Sequence, residues 1–193
     1  ALDKTGTLTE GKPSLVAIHA FGTFDEQRLL ALAAGAELGS EHPLARSIVT
    51  HAHEQQIEIP KVISFQSFAG GGIEALVENE RILMGTMKFL VERGVDTSPF
   101  ALMSSDIPGG LVAMAVNEMA AAIFLFQDTI RPSAKKLIAE LRDLGVRVVM
   151  LTGDRASTAA AVAEELGIPE YRAGLSPEAK ACEFAQWKAQ GFC

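Results

Sequence analysis

The sequence predicts an α/β unit interrupted by an inserted α+β domain, on three observations. Val146–Leu151 is a nearly continuous apolar run between two helical patterns, as expected of a strand in a parallel sheet covered on both faces. Residues 62–126 carry consecutive short strand patterns with tight polar turns, which favours an antiparallel sheet. Helix and strand alternate from Gln127 onward, and Ala1-Leu2 reads as the stub of a buried strand feeding the polar turn Asp3-Lys4-Thr5-Gly6-Thr7. The α/β unit is therefore assigned residues 1–12 and 127–193, and the insertion residues 13–126.

Leu15–Ala20 reads as a strand. Asp25–Leu38 reads as a helix capped by Asp25, with Leu29, Leu32, Ala33 and Ala36 on one face and Gly39 to end it. A second helix follows Pro43 to about Gln56. Val62–Phe68, Ile73–Val77, Arg81–Met84, Leu111–Val116 and Ala121–Phe126 read as strands, with turns at Glu78-Asn79-Glu80 and Asn117-Glu118. Beyond them lie a helix over Arg131–Leu144 closed by Gly145, a helix over Ser157–Leu166 closed by Gly167, a short strand at Tyr171–Ala173, and a helix over Pro177–Gln190.

Composition excludes several classes. The longest uninterrupted apolar run, Met119–Phe126, is eight residues, whereas an apolar helix needs about 20 to span a bilayer. The chain is expected not to cross a membrane, and it shows no basic-then-apolar leader at its start. A net charge of -7 with scattered basic residues argues against nucleic acid or an anionic lipid surface as partner. Cys182 and Cys193 form no CxxC pair and read as free thiols. Both ends read as cut: the key motif begins at residue 3, and Gln190-Gly191-Phe192-Cys193 stops where a strand would begin.

Asp3-Lys4-Thr5-Gly6-Thr7-Leu8-Thr9 is the strongest chemical signal. An aspartate at the carboxyl end of a buried strand faces the ligand crevice of an open α/β sheet. Its carboxylate can attack phosphorus and form an acyl phosphate. Small residues after it let backbone N–H groups approach phosphate oxygens. A lone Asp would more often cap a turn; seven residues in this order favour the functional reading.

The heptapeptide resembles the phosphorylation motif of the P-type ATPases, which build a haloacid-dehalogenase-like (Rossmann-like) phosphorylation domain around it. The resemblance implies that Asp3 accepts the γ-phosphate of ATP, with Lys4 and Thr5 beside it. It implies Mg²⁺ held through the Asp3 carboxylate and the Thr5 backbone carbonyl. Leu151-Thr152-Gly153-Asp154 matches the family's second motif, in which Thr152 hydrogen-bonds the phosphoryl group with Gly153 and Asp154 alongside. Asp128-Thr129-Ile130-Arg131-Pro132 is similar to the hinge sequence near the nucleotide, implying roles for Asp128 and Arg131. Pro177-Glu178-Ala179-Lys180 matches the segment carrying the phosphate-binding lysine, Lys180, a cation placed to offset charge on the phosphoryl oxygens.

The inserted domain narrows the resemblance. Ser40-Glu41-His42-Pro43-Leu44-Ala45 resembles the His-Pro signature of heavy-metal-transporting P-type ATPases, and Glu37 falls where that group holds the adenine amino group. His42 is implied to hydrogen-bond or stack on the nucleotide. Gly70-Gly71-Gly72 resembles the family's GxG, with Gly70 and Gly72 letting backbone approach the ligand. Met84-Gly85-Thr86 departs from the Gly-Asn that relatives commonly carry, so the resemblance implies Gly85 and Thr86 as the corresponding contacts, Thr86 a weaker one than Asn. Arg155 replaces a common Asn. The family's GDGxNDxP segment would lie beyond Cys193.

The resemblance implies the cytoplasmic part of a membrane transporter of heavy-metal cations, copper slightly ahead of zinc, cadmium or cobalt. Its partners would be ATP and the transmembrane helices and actuator domain of the same polypeptide. The chain alone is expected to be soluble, monomeric, and slow or inactive in ATP turnover. A soluble haloacid-dehalogenase-like phosphatase is the alternative. Such enzymes carry a second Asp two residues after the nucleophile; Thr5 stands there and cannot transfer protons near neutral pH. A nucleotide-sensing module without phosphotransfer would leave Asp3 unexplained.

Overall fold

The computed structural model describes residues 1–103 and 110–189; the readings at Gln190 and Cys193 lie outside them. These residues divide into two compact units, 1–12 with 128–189, and 13–103 with 110–127. Among the described residues no helix is long and apolar enough to cross a membrane.

The first unit is built on a parallel sheet of β1 (Leu2–Asp3), β8 (Val149–Leu151) and β9 (Glu170–Arg172), with β8 in the middle. The register pairs Asp3 with Leu151, so both strands end level and deliver the residues that follow to one sheet edge. Helix α4 (Pro132–Asp143) leads into β8, α5 (Ala156–Leu166) crosses from β8 to β9, and α6 (Pro177–Ala189) follows β9. Ala134, Ile138, Ala159, Ala163 and Leu166 pack with Met150, Val148 and Leu8 in its core. The strand expected over Val146–Leu151 is shorter because Val146 belongs to the end of α4. There Gly145, at φ 74°, donates to the Arg142 carbonyl and Val146 donates to the Leu141 carbonyl, both at 2.9 Å. That left-handed cap satisfies two orphan helix carbonyls and leaves Val146 outside the ladder.

The second unit contributes most of a six-stranded sheet in the order β2-β7-β6-β5-β4-β3. The strands are β2 (Thr9–Ala20), β3 (Val62–Phe68), β4 (Gly72–Val77), β5 (Glu80–Gly85), β6 (Gly110–Val116) and β7 (Met119–Ile130). From β3 to β7 each neighbouring pair is antiparallel. Two-residue turns at Glu78-Asn79 and Asn117-Glu118 have positive φ at both positions, the hairpin geometry whose twist matches the strands. Helices α1 (Glu26–Glu37) and α2 (Pro43–Glu54) complete the layer, burying Leu29, Leu30, Leu32 and Ile48 with Ile82, Met114, Phe124 and Phe126. Asp25 caps α1, accepting from Arg28 N–H at 2.9 Å.

Four more features depart from the sequence expectation. β2 begins at Thr9 rather than Leu15. Its polar Thr9–Ser14 stretch contains Gly11 and Pro13, which mask a strand signal but are tolerated on an edge strand. β7 runs on to Ile130 through the polar Gln127-Asp128-Thr129. Short α3 (Met87–Glu92), capped by the Thr86 hydroxyl accepting from Phe89 N–H at 3.1 Å, and a short 3-10 helix at Ser98–Met103 were unanticipated.

Gly72 sits where two backbone segments of the second unit approach closely. A Cβ there would collide with the Met84 carbonyl oxygen and come within 2.8 Å of both Gly85 Cα and the Phe89 ring. Gly72→Ala should therefore destabilise the chain by about 1–3 kcal/mol, the usual cost of overpacking, read from a denaturant unfolding curve with unchanged slope.

Candidate active site and nucleotide cavity

In the first unit, Asp3 lies at the end of β1, and its Oδ1 is 2.5 Å from Lys180 Nζ. Lys180 is placed by the first turn of α6, where Ser176 Oγ accepts from Ala179 N–H at 3.2 Å and Pro177 occupies the first helical position. The carboxylate of Asp3 remains partly exposed at 39%. Thr152 directly follows Leu151, the register partner of Asp3, and is buried. Its hydroxyl accepts from Asp154 N–H at 3.1 Å, which leaves its own proton to donate. A Cβ on Gly153 would lie 3.2 Å from the Leu175 carbonyl, so this loop is closely backed.

Lys4 is oriented differently from Asp3. It is only 4% exposed, and its Nζ lies 2.5 Å from Asp154 Oδ2 and 4.0 Å from Asp128 Oδ2. A cation this buried requires such partners. Asp128 is also engaged by the Thr9 hydroxyl at 2.5 Å and by Lys12 N–H at 3.0 Å. Arg131 donates to the carbonyls of Thr9 at 3.0 Å and Gly6 at 3.2 Å. Asp128 and Arg131 thus tie the end of β7 to the start of β2 and to the Lys4–Leu8 loop. Thr9 was not singled out from the sequence, although it closes the seven-residue motif.

The second unit contains a cavity of about 400 Å³ lined by Glu37, Ser40, His42, Phe68, Gly70, Gly71, Gly72, Gly85 and Thr86, with apolar Leu44, Ile73 and Leu111. It brings together Glu37, His42, Gly70, Gly72, Gly85 and Thr86, which are separated by up to 49 residues in sequence. Tight packing of glycine backbones forms one wall: Gly71 carbonyl accepts from Thr86 N–H at 2.9 Å, and a Cβ on Gly85 would collide with that carbonyl. His42 caps α2 through Nδ1, which accepts from Leu44 N–H at 3.2 Å. The neutral imidazole therefore carries its proton on Nε2.

Glu37 ends α1 and is 8% exposed, with Oε2 buried and unpartnered. Burial raises its carboxyl pKa from 4.5 to about 7, opposed in part by a hydrogen bond from Ser40. An orphan acceptor facing a mostly apolar cavity suits the amino group of a heterocyclic base. For a magnesium ion the first unit offers the Asp3 carboxylate and the exposed Thr5 carbonyl segment. Two oxygen donors suit this cation, which completes its shell with phosphate and water. Among the described residues no group of three or more His, Cys, Asp or Glu could hold a metal unaided.

The parallel sheet with an aspartate and a lysine meeting at its carboxyl edge agrees with the comparison to protein families. A haloacid dehalogenase-like hydrolase model matches residues 1–183, and the chain belongs to that family. Within it, the chain's relatives are heavy-metal P-type ATPases. It is 38% identical over 193 residues to a copper-exporting P-type ATPase of Bacillus subtilis (strain 168), covering 98% of this chain and 24% of that protein. It superposes on a zinc-transporting PIB-type ATPase in the E2.Pi state with a TM-score of 0.86 at 39% identity, covering 97% of this chain and 31% of that one. A structure of the catalytic domain of the CPx-ATPase CopB-B, described for its conformational changes on nucleotide binding, matches with a TM-score of 0.72 at 28% identity over 98% of this chain and 66% of that one. The chain spans about a quarter of the length of the curated relatives it matches.

Between pH 4.5 and about 7 the folded chain holds a proton on Glu37 that the unfolded chain has released. Stability therefore falls as pH rises through that window, and the loss, about 3 kcal/mol, is complete above it. Glu37→Gln removes the dependence. Relative to the native chain the variant should gain about 3 kcal/mol on going from about pH 4 to about pH 8, measured by denaturant titration at each pH.

Proposed function

We propose that this chain is the ATP-binding and phosphorylated part of a P-type ATPase that moves a heavy-metal cation. Copper is favoured over zinc on the names of its curated relatives. The observation that carries the reading is the Asp3–Lys180 pair at the carboxyl end of a parallel sheet, with Thr5 in place of a second aspartate.

The adenine amino group donates to Glu37, His42 Nε2–H faces the nucleotide, and the backbone at Gly70, Gly72 and Gly85 admits it closely. A carboxylate oxygen of Asp3 attacks the γ-phosphorus. The new O–P bond forms as the bond to the β–γ bridging oxygen breaks, and the released pair of electrons leaves on ADP. Lys180 and the Thr152 hydroxyl stabilise charge on the equatorial phosphoryl oxygens. Mg²⁺ held by Asp3 and Thr5 would offset repulsion between carboxylate and polyphosphate. Lys4, Asp128, Asp154 and Arg131 hold the loop that presents Asp3. Thr5 cannot activate water, which favours a phosphoenzyme that lasts long enough to drive a conformational change. The remaining partners are the membrane helices and actuator domain of the same polypeptide, on its cytoplasmic side.

In the full-length transporter, incubation with γ-labelled ATP and Mg²⁺ should give an acid-stable, hydroxylamine-sensitive label. Asp3→Asn should abolish it while leaving nucleotide affinity within about twofold, a difference below 0.5 kcal/mol or so. A label that survives in Asp3→Asn contradicts the assignment.

A further inference from the structure

We propose that Arg93 is a positioning residue for the nucleotide cavity. Packed against the rings of both Phe68 and Phe89, it sets the backbone of Ala69–Gly72 and hence the affinity of the cavity, without touching the ligand. This inference rests on the nucleotide reading given above.

The Arg93 guanidinium carbon lies 4.0 Å from the centroid of Phe68 and 4.2 Å from that of Phe89. The two rings are tilted by 47° with centroids 5.6 Å apart. Each ring governs a different part of the glycine segment. Phe68 precedes it, lines the cavity, and accepts from Gly71 N–H through its carbonyl at 3.0 Å. Phe89 backs it: a Cβ on Gly71 or Gly72 would lie 2.9 or 2.8 Å from that ring. Glycines give this segment no side chains with which to fix itself, so its conformation depends on what stands behind it.

The guanidinium is fixed in turn. Its Nε lies 3.5 Å from Glu74 Oε2, and Glu74 Oε1 accepts from Arg81 Nε at 2.8 Å. Arg93 itself does not line the cavity, and its side chain is 21% exposed. A surface arginine serving solubility alone would extend into water. A planar cation can satisfy two aromatic faces at once, which an ammonium on a flexible stem does poorly.

The test compares the native chain with Arg93→Met and Arg93→Lys by ATP calorimetry, thermal unfolding, and the amide positions of Gly70, Gly71 and Gly72 in ligand-free ¹⁵N spectra. Arg93→Met should weaken ATP binding by about tenfold and Arg93→Lys by about threefold. Both should unfold cooperatively and displace the three glycine amides before any ligand is added. Native affinity and native glycine positions in both variants overturn the proposal. If Arg93→Met does not fold, the same native values in Arg93→Lys overturn it. If the native chain binds no ATP, the nucleotide reading fails, and the ligand-free glycine positions still decide whether Arg93 sets this segment.

Discussion

The geometry of the first unit depends on one buried cation. Lys4 points inward from the loop that follows Asp3, with 4% exposure, and meets Asp154 at 2.5 Å. Leaving such a charge unpaired costs about 3–5 kcal/mol. The pair therefore fixes two loops at once, the one after β1 and the one after β8, at the edge where those strands end level. Asp128, 4.0 Å from the same Nζ and bonded to Thr9 and Lys12, adds β7 and β2 to the constraint. With Lys4 committed to this role, the cation that meets Asp3 is Lys180, from the far end of the sequence.

The two units solve opposite electrostatic problems. The first gathers charges of both signs in pairs around Asp3. The second leaves an acceptor, Glu37 Oε2, buried without a partner, at a cost visible in its raised pKa. An unsatisfied buried polar atom of this kind is uncommon in a folded chain, and the donor proposed for it is the amino group of the nucleotide base. Around that atom part of the cavity wall is glycine backbone and apolar side chains, so backbone supplies much of its shape.

Much of this was legible in the sequence because it is local. The hairpins announce themselves through Glu78-Asn79 and Asn117-Glu118, and the helix ends through Gly145 and Gly167. Glu37, His42, Gly70, Gly72, Gly85 and Thr86, which line the cavity, were singled out by motif rather than periodicity, whereas Phe68 and Leu111, which also line it, carried no such signal. What was not legible is long-range. Thr9–Asp128 joins positions 119 apart, and the polar ends of β2 and β7 are strands only because each has the other. Asp128 and Arg131, read as nucleotide contacts, also hold backbone and side-chain partners of the Lys4–Lys12 segment, which no local pattern announces. Arg93 had a faint signal, one helical turn after Phe89, but its second ring, Phe68, comes from a distant strand.

The central claim is that the second unit's cavity holds the nucleotide through Glu37 and the glycine wall. Titration of ATP, without magnesium, into the ¹⁵N-labelled chain tests it most directly. The account predicts saturable shifts that are largest at the amides of Glu37, Ser40, His42, Gly70, Gly71, Gly72 and Thr86, following a single binding curve. Saturable binding that leaves those amides in place, with its shifts confined to residues around Asp128 and Arg131, would contradict it.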